Sequence, residues 1–372
     1  MKKLLAIVFG VLVFLAGMVT VSYAAEAGGK TRILVVSSYS RDYLWSQETG
    51  KGLNAALREF KFLDNDQQVE EFSKNDSVET ASVIIKKSWM DTKRKSKKEE
   101  IVATTAGVMD LVRDFKPDLV FLGDDNATNF VGAQLINTAT PVVFWGVDLD
   151  PFKYGYIDSF ERPGKNITGV YQSGYYKEGL EALKKLYPQI KTFAILSDES
   201  ETGRGKGRVL AKEAAQGKLP LELVDEVYTK SFSEWKTRAL ELQGKVDAFF
   251  VITHATLKED DGSSVDIMKA GAWYQANIKK PEAVPEKHMV EAGLLLTADD
   301  SAYKQGYEAG RMADIILHGK KAPGEIAVMA PSRGAIAVNR LRAQSLGIDL
   351  TGKDFIEEFV DGSKALEKFP QP

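Results

Sequence analysis

Apolar runs too continuous for half-exposed strands alternate along the chain with segments of helical spacing. Residues 119–122 and 142–147 are two such runs, each entered through or just after a proline, Pro117 and Pro141. Between them, residues 127–137 carry apolar side chains at Phe130, Val131, Ala133, Leu135 and Ile136. Strands covered on both faces read as unbroken apolar runs, and pairing them in parallel needs a helical crossover. The stretch 117–150 is therefore expected to form one β-α-β unit. The same alternation runs on either side of it. Residues 32–38, 192–196, 221–228, 246–253 and 293–297 read as strands, and 46–60, 99–115, 177–186, 206–216, 231–243 and 302–318 as helices. Residues 82–91 fit a strand or a helix end, and the polar, acidic segment 61–77 fits no element clearly. Beyond the last long helix, 326–329 and 335–338 look extended, and 339–346 and 354–368 look helical. Strands alternating with helices predict the α/β class with parallel sheets. A turn-rich connector at 161–170, holding Pro163-Gly164 and Thr168-Gly169, suggests a crossing between two α/β halves.

In open parallel sheets, ligands sit beyond the carboxyl ends of the strands. Several polar and aromatic residues fall there. Ser38, Tyr39, Tyr43 and Trp45 follow the first strand, Asp124, Asp125 and Asn126 follow 119–122, and Trp145, Gly146 and Asp148 close 142–147. In the second half Ser197, Asp198 and His254 follow strands, and Asp299 and Asp300 follow 293–297. Tyr171 lies just past the turn-rich connector. Each has a structural alternative, because Asp is a preferred helix N-cap and rim aromatics can simply cover a sheet edge. The functional expectation is that Tyr39, Trp45 and Trp145 stack on a planar or apolar part of a solute while Asp124, Asp125 and Asn126 hold its polar end. Gly146 would let the backbone pass close to that ligand. Strand alternation alone leaves open whether Trp145 faces the cleft or the helix layer.

The start of the chain narrows the compartment. Lys2 and Lys3 precede an apolar run over 4–21 that ends in Ser22-Tyr23-Ala24, the three-part pattern of a secretory signal peptide cleaved after Ala24. No second apolar span follows, so a soluble product outside the cytoplasmic membrane is expected, in the periplasm. The chain has no cysteine, which rules out disulfides and a lipid-modified cysteine anchor. Its net charge of −3 becomes more negative once Lys2 and Lys3 are lost, which argues against nucleic acid or anionic lipid as a partner. The basic run 93–98 is followed at once by Glu99 and Glu100 and reads as a solvated helix entrance. The glycine-rich 203–208 fits neither common phosphate-binding spacing and reads as a loosened helix start. The three histidines, His254, His288 and His318, have no metal-binding spacing, and neither a G-x-S-x-G elbow nor H-E-x-x-H occurs. No cofactor, metal or catalytic activity is expected.

These residues carry a resemblance. From about Arg32 to about Leu350 the chain resembles the type I periplasmic solute-binding proteins of ABC transporters, in the family that includes tryptophan and tyrosine binders. The most specific stretches are 141–147 (PVVFWGV), 162–170 (RPGKNITGV) and 178–196. Segments 89–94 (WMDTKR), 124–127 (DDNA) and 256–262 (TLKEDDG) look more like a subgroup that also occurs as extracytoplasmic sensor domains. The resemblance implies two Rossmann-like lobes joined by a three-crossover hinge that closes on ligand. It places the first lobe at 31–166 with 297–328, the second at 167–296 with 329–350, and a tail helix at 351–372. Where transporter members commonly show Thr-Asp-Asn, this chain has Thr253-His254-Ala255, a departure that argues against an ordinary amino-acid ligand. The expected function is capture of a small organic solute, amino-acid-like or aromatic, by a monomer that delivers it to an ABC permease. The alternative is a ligand sensor acting on a membrane receptor or histidine kinase.

Overall fold

The computed structural model describes residues 29–148 and 151–371, so the expected signal peptide lies outside the described residues. The first sheet has six strands in the order β2-β3-β1-β4-β5-β6. They are β1 (Thr31–Ser37), β2 (Ser77–Glu79), β3 (Val83–Trp89), β4 (Leu119–Gly123), β5 (Val142–Asp148) and β6 (Ile167–Gln172). All pair in parallel except the edge strand β2, which is antiparallel to β3. The second sheet has seven strands in the order β13-β12-β11-β10-β9-β7-β8. These are β7 (Thr192–Asp198), β8 (Glu222–Thr229), β9 (Ala248–Val251), β10 (Glu282–Val284), β11 (Leu296–Ala298), β12 (Ile336–Asn339) and β13 (Glu358–Val360). Only the β11–β12 pair is antiparallel. Each sheet is buried on both faces by helices, which is why β4 and β5 are apolar without alternation.

The chain crosses between these lobes after Gln172, again between β11 and the helix Ala302–Leu317, and finally between Met329 and β12. These crossings move the lobe boundaries. β6 pairs with β5 and so extends the first lobe past 166, while β11 belongs to the second sheet and delays the return past 297. Met329 still bridges Val170 of the first lobe. The expected tail helix is also corrected: β13 adds an edge strand beside β12, and only Lys364–Lys368 is helical there. The apolar Phe355, Ile356, Phe359 and Val360 keep helical spacing within 354–368, and pairing with β12 overrides it. The segment 61–77 becomes a helix, Asp66–Asn75, capped by the Asn65 side chain.

The helix Ala302–Leu317 returns to the first lobe and packs along the helix Leu44–Glu59. Gly52 and Gly306 permit this close approach, since a Cβ on Gly306 would lie 2.0 Å from the Thr49 carbonyl oxygen and one on Gly52 1.9 Å from that of Tyr303. The glycine-rich 203–208 is not a loosened entrance. It lies within the helix Glu201–Ala215, whose N-cap Ser200 accepts from the Gly203 N–H. Gly203 and Gly207 are small because Asp198 and Tyr228 press against them.

Candidate functional site

The carboxyl ends of both sheets face one another across a narrow cavity of about 40 Å³, room for a few water molecules. The lobes touch around it. Tyr39 Oη of the first lobe lies 3.4 Å from Thr202 Oγ1 of the second, and Lys93 Nζ lies 3.5 Å from the same oxygen. Lys153 Nζ stands 3.9 Å from Glu201. The ring of His288 meets Tyr43 and Trp45 edge-on, with centroids 5.9 Å and 6.4 Å apart.

Of the expected site residues, Tyr39, Trp45, Asp148 and His254 line this cavity. Trp45 is held from behind, its indole N–H donating to Asp124 Oδ1 at 2.7 Å. Asp124 itself is buried with Oδ2 unpartnered, and burial pushes its carboxyl up to about 8. Asp148 ends β5 and is held well above the usual carboxylate range, chiefly by burial. His254 Nε2 lies 3.1 Å from the Ile267 carbonyl, an acceptor, so this nitrogen carries the proton of the neutral ring. Burial lowers its affinity for a second proton.

Other expected residues serve the frame of the site. Ser38 Oγ donates to the Gly123 carbonyl and accepts from the Ala127 N–H, stitching β1 to β4. Asp125 accepts from Lys153 Nζ at 2.7 Å and Tyr154 Oη at 2.5 Å. Asp198 accepts from the backbone of Ser200 and Thr256, tying together two loops at the strand ends, and Ser197 is buried beneath Gly203. Asn126 Nδ2 donates to Thr92 Oγ1, which in turn donates to the Ser38 carbonyl. Asp299 accepts from the Lys287 N–H and lines a separate recess of about 180 Å³ beside the crossings.

Three expectations are corrected. Trp145 points into the helix layer, packed in the first-lobe core against Phe121 with ring centroids 5.9 Å apart, so it cannot stack on a solute in the cleft. Tyr171 packs on Phe160 away from the cavity, while its neighbour Gln172 lines it. Gly146 does need its left-handed φ of +67°, but the group brought close is the Asp124 carboxylate, 2.4 Å from where a Cβ would stand. Its N–H donates to Gln305 Oε1, and Gln305 Nε2 donates to Asp300 and to the Tyr171 carbonyl, so one buried glutamine knits β5, β6 and the second crossing.

Sequence reasoning missed the cavity's two lysines. Lys206 is buried on the helix Glu201–Ala215, hydrogen-bonded to Glu286 and 3.6 Å from Asp148 across the cleft. Burial works against its charge, yet the two carboxylates hold its pKa well above the ordinary lysine value. Lys93 opens the basic run read as solvated, but Thr92 is pinned under β1 and turns Lys93 inward over the Tyr39 ring, 4.4 Å from its centroid. A lysine beginning a charged run carries no sequence mark of burial; only the unusual Trp89–Arg94 string set it apart.

Residues 74–355 match the family model for ABC transporter substrate binding proteins. The chain belongs to that family. A curated relative, the tyrosine-binding protein of Clostridioides difficile (strain R20291), is 27% identical over 257 residues, covering 68% of this chain and 70% of the relative. Among solved structures, an ABC domain from Streptococcus pneumonia in complex with L-Trp superposes with TM-score 0.68 at 20% identity, over 89% of this binding protein and 100% of that chain. A ligand-free, open substrate binding protein with adhesive properties from Clostridium difficile does so with TM-score 0.61 at 21% identity, over 89% and 100%. These likenesses establish the type I periplasmic binding fold for this substrate-binding protein. Among the described residues, no helix is long and apolar enough to cross a membrane.

Proposed function

We propose that this binding protein captures an aromatic or otherwise planar organic solute in the interlobe cavity, works in the periplasm as a monomer, and delivers the solute to an ABC permease. The observation that carries the reading is the cavity wall: Tyr39, Tyr43 and Trp45 from the first lobe face His254 and His288 from the second. Flat rings supply large contact area at low conformational cost. The tyrosine-binding relative supports an aromatic solute, and the signal-peptide pattern supports the periplasm. The protein binds its solute without converting it.

Native mass spectrometry of protein purified without refolding would identify a co-purifying solute. Small-angle scattering with the solute removed and restored should then show a smaller radius of gyration when bound, as hinge closure requires. An unchanged profile at saturating solute, or turnover of the solute, would overturn the reading. Uptake reconstituted with the cognate permease tests delivery. Binding that stimulates a receptor kinase without uptake would overturn that half.

A further inference from the structure

Both carboxylates that line the cavity are committed to one cation. Lys206 Nζ is hydrogen-bonded to Glu286 and lies 3.6 Å from Asp148. Lys93 has no such partner. It is only 8% exposed, yet no carboxylate stands within ion-pair distance of it among the described residues. Its one hydrogen bond is the 3.5 Å contact to Thr202 Oγ1, and the Tyr39 ring lies beneath it. Asp124 and Glu201 act on it only from beyond ion-pair distance, and a buried charge without a close partner is costly.

Around Lys93 the donors converge. Tyr39 Oη also reaches Thr202 Oγ1, at 3.4 Å, so an ammonium and two hydroxyls surround one point with only long bonds among themselves. Thr202 lies in the first turn of the helix Glu201–Ala215, a 15-residue helix whose N-terminal end favours negative charge. Lys93 and Tyr39 belong to the first lobe and Thr202 to the second, so an anion here would tie the lobes together.

Among the described residues, the rest of the cavity offers nothing comparable to a cation. An ammonium near Asp148 or Glu286 would have to share them with Lys206. Asp124, whose Oδ2 is unpartnered, lies behind Trp45 and does not line the cavity. His254 and His288 add no charge near neutral pH, since burial lowers both and brings His288 to about 4.

We propose that the solute is a monoanionic organic acid with a planar apolar body and no ammonium group. Its carboxylate is held by Lys93, Tyr39 and Thr202, and its ring lies against Tyr43, Trp45 and His288. This assignment rests on the solute-binding reading above and goes beyond it by setting the charge of the ligand. It also separates this chain from its tyrosine-binding relative, whose ligand is a zwitterion.

Calorimetric titration of the ligand-stripped full chain with three probes of one skeleton tests it: 3-(4-hydroxyphenyl)propanoate, L-tyrosine and tyramine. The acid should bind at least tenfold more tightly than the zwitterion, with the amine weaker still. Lys93→Met should weaken the acid at least tenfold while Lys93→Arg retains most of the affinity, and circular dichroism should show both variants folded. If Lys93→Met does not fold, the ranking on the unaltered protein decides alone. Tyrosine binding as tightly as the acid, or acid binding indifferent to Lys93→Met, overturns the charge assignment and leaves the solute-binding reading standing. So does silence from all three probes in a protein that closes on some other co-purified solute. A protein that binds and closes on nothing overturns both.

Discussion

Lys206 Nζ of the second lobe lies 3.6 Å from Asp148 Oδ1 of the first, and both side chains are buried. The pair spans the cleft, so its energy belongs to the closed arrangement rather than to either lobe. Removing one partner of a buried ion pair leaves the other charge unmatched in low dielectric, at about 3–5 kcal/mol. Lys206→Met, which strands Asp148 and Glu286 together, should lower stability in urea by that order and enlarge the solute-free radius of gyration. An unchanged urea midpoint would show that the pair contributes nothing to closure.

Trp145 should behave as a core residue. Trp145→Ala empties a site packed against Phe121 and should cost about 3–5 kcal/mol of stability. Affinity per folded molecule should hardly move. Urea melts and titration on the same variant read the two quantities separately, and weakened binding at unchanged stability would return Trp145 to the cleft.

Asp124 should give the protein a pH-dependent stability. Burial raises its folded pKa to about 8, whereas in the unfolded chain it titrates near ~4. Between those values the folded state holds a proton that the unfolded state has released. Stability from this group is therefore fully present below pH ~4 and is lost as pH rises towards 8, by up to about 1.4 kcal/mol per pH unit. Asp299, raised to about 7, and Asp300, raised to about 6, act with the same sign. The informative quantity is thus the difference between wild type and Asp124→Asn, which can still accept from Trp45. That difference should shift against the wild type from pH 5 to pH 8, and a flat difference would refute the buried-acid account.

Two glycine substitutions should move stability in opposite directions. Gly306→Ala places a methyl 2.0 Å from the Thr49 carbonyl oxygen, and backbone cannot rotate away. The helices Leu44–Glu59 and Ala302–Leu317 must separate, at about 1–3 kcal/mol or more. Gly205→Ala meets nothing within 4 Å in the helix Glu201–Ala215, so helix propensity should stabilise the protein by up to ~1 kcal/mol. Thermal melts of the two variants check both signs.

The sequence alone carried the architecture, because burial on both sheet faces and helical crossovers leave periodic marks that need no partner to be read. The runs over β1, β4, β5 and β7 are examples, and the polar ends of those strands located the rim on which Tyr39, Trp45, Asp148 and His254 stand. What the tertiary structure decided was direction and pairing. Trp145 turned to the helix layer because β5 presents alternate residues to opposite faces, and only the packing of Ala302–Leu317 and Phe121 determined which face was which. Within 354–368, Glu358–Val360 became a strand because β12 offered it an open edge. Asp125 and Asp198 proved to be frame rather than lining because loops distant in sequence supply their donors. Lys93 and Lys206, on opposite lobes, look like ordinary surface lysines in the chain. They become site residues only because the fold buries both, giving one its carboxylates and leaving the other, among the described residues, with none in ion-pair reach.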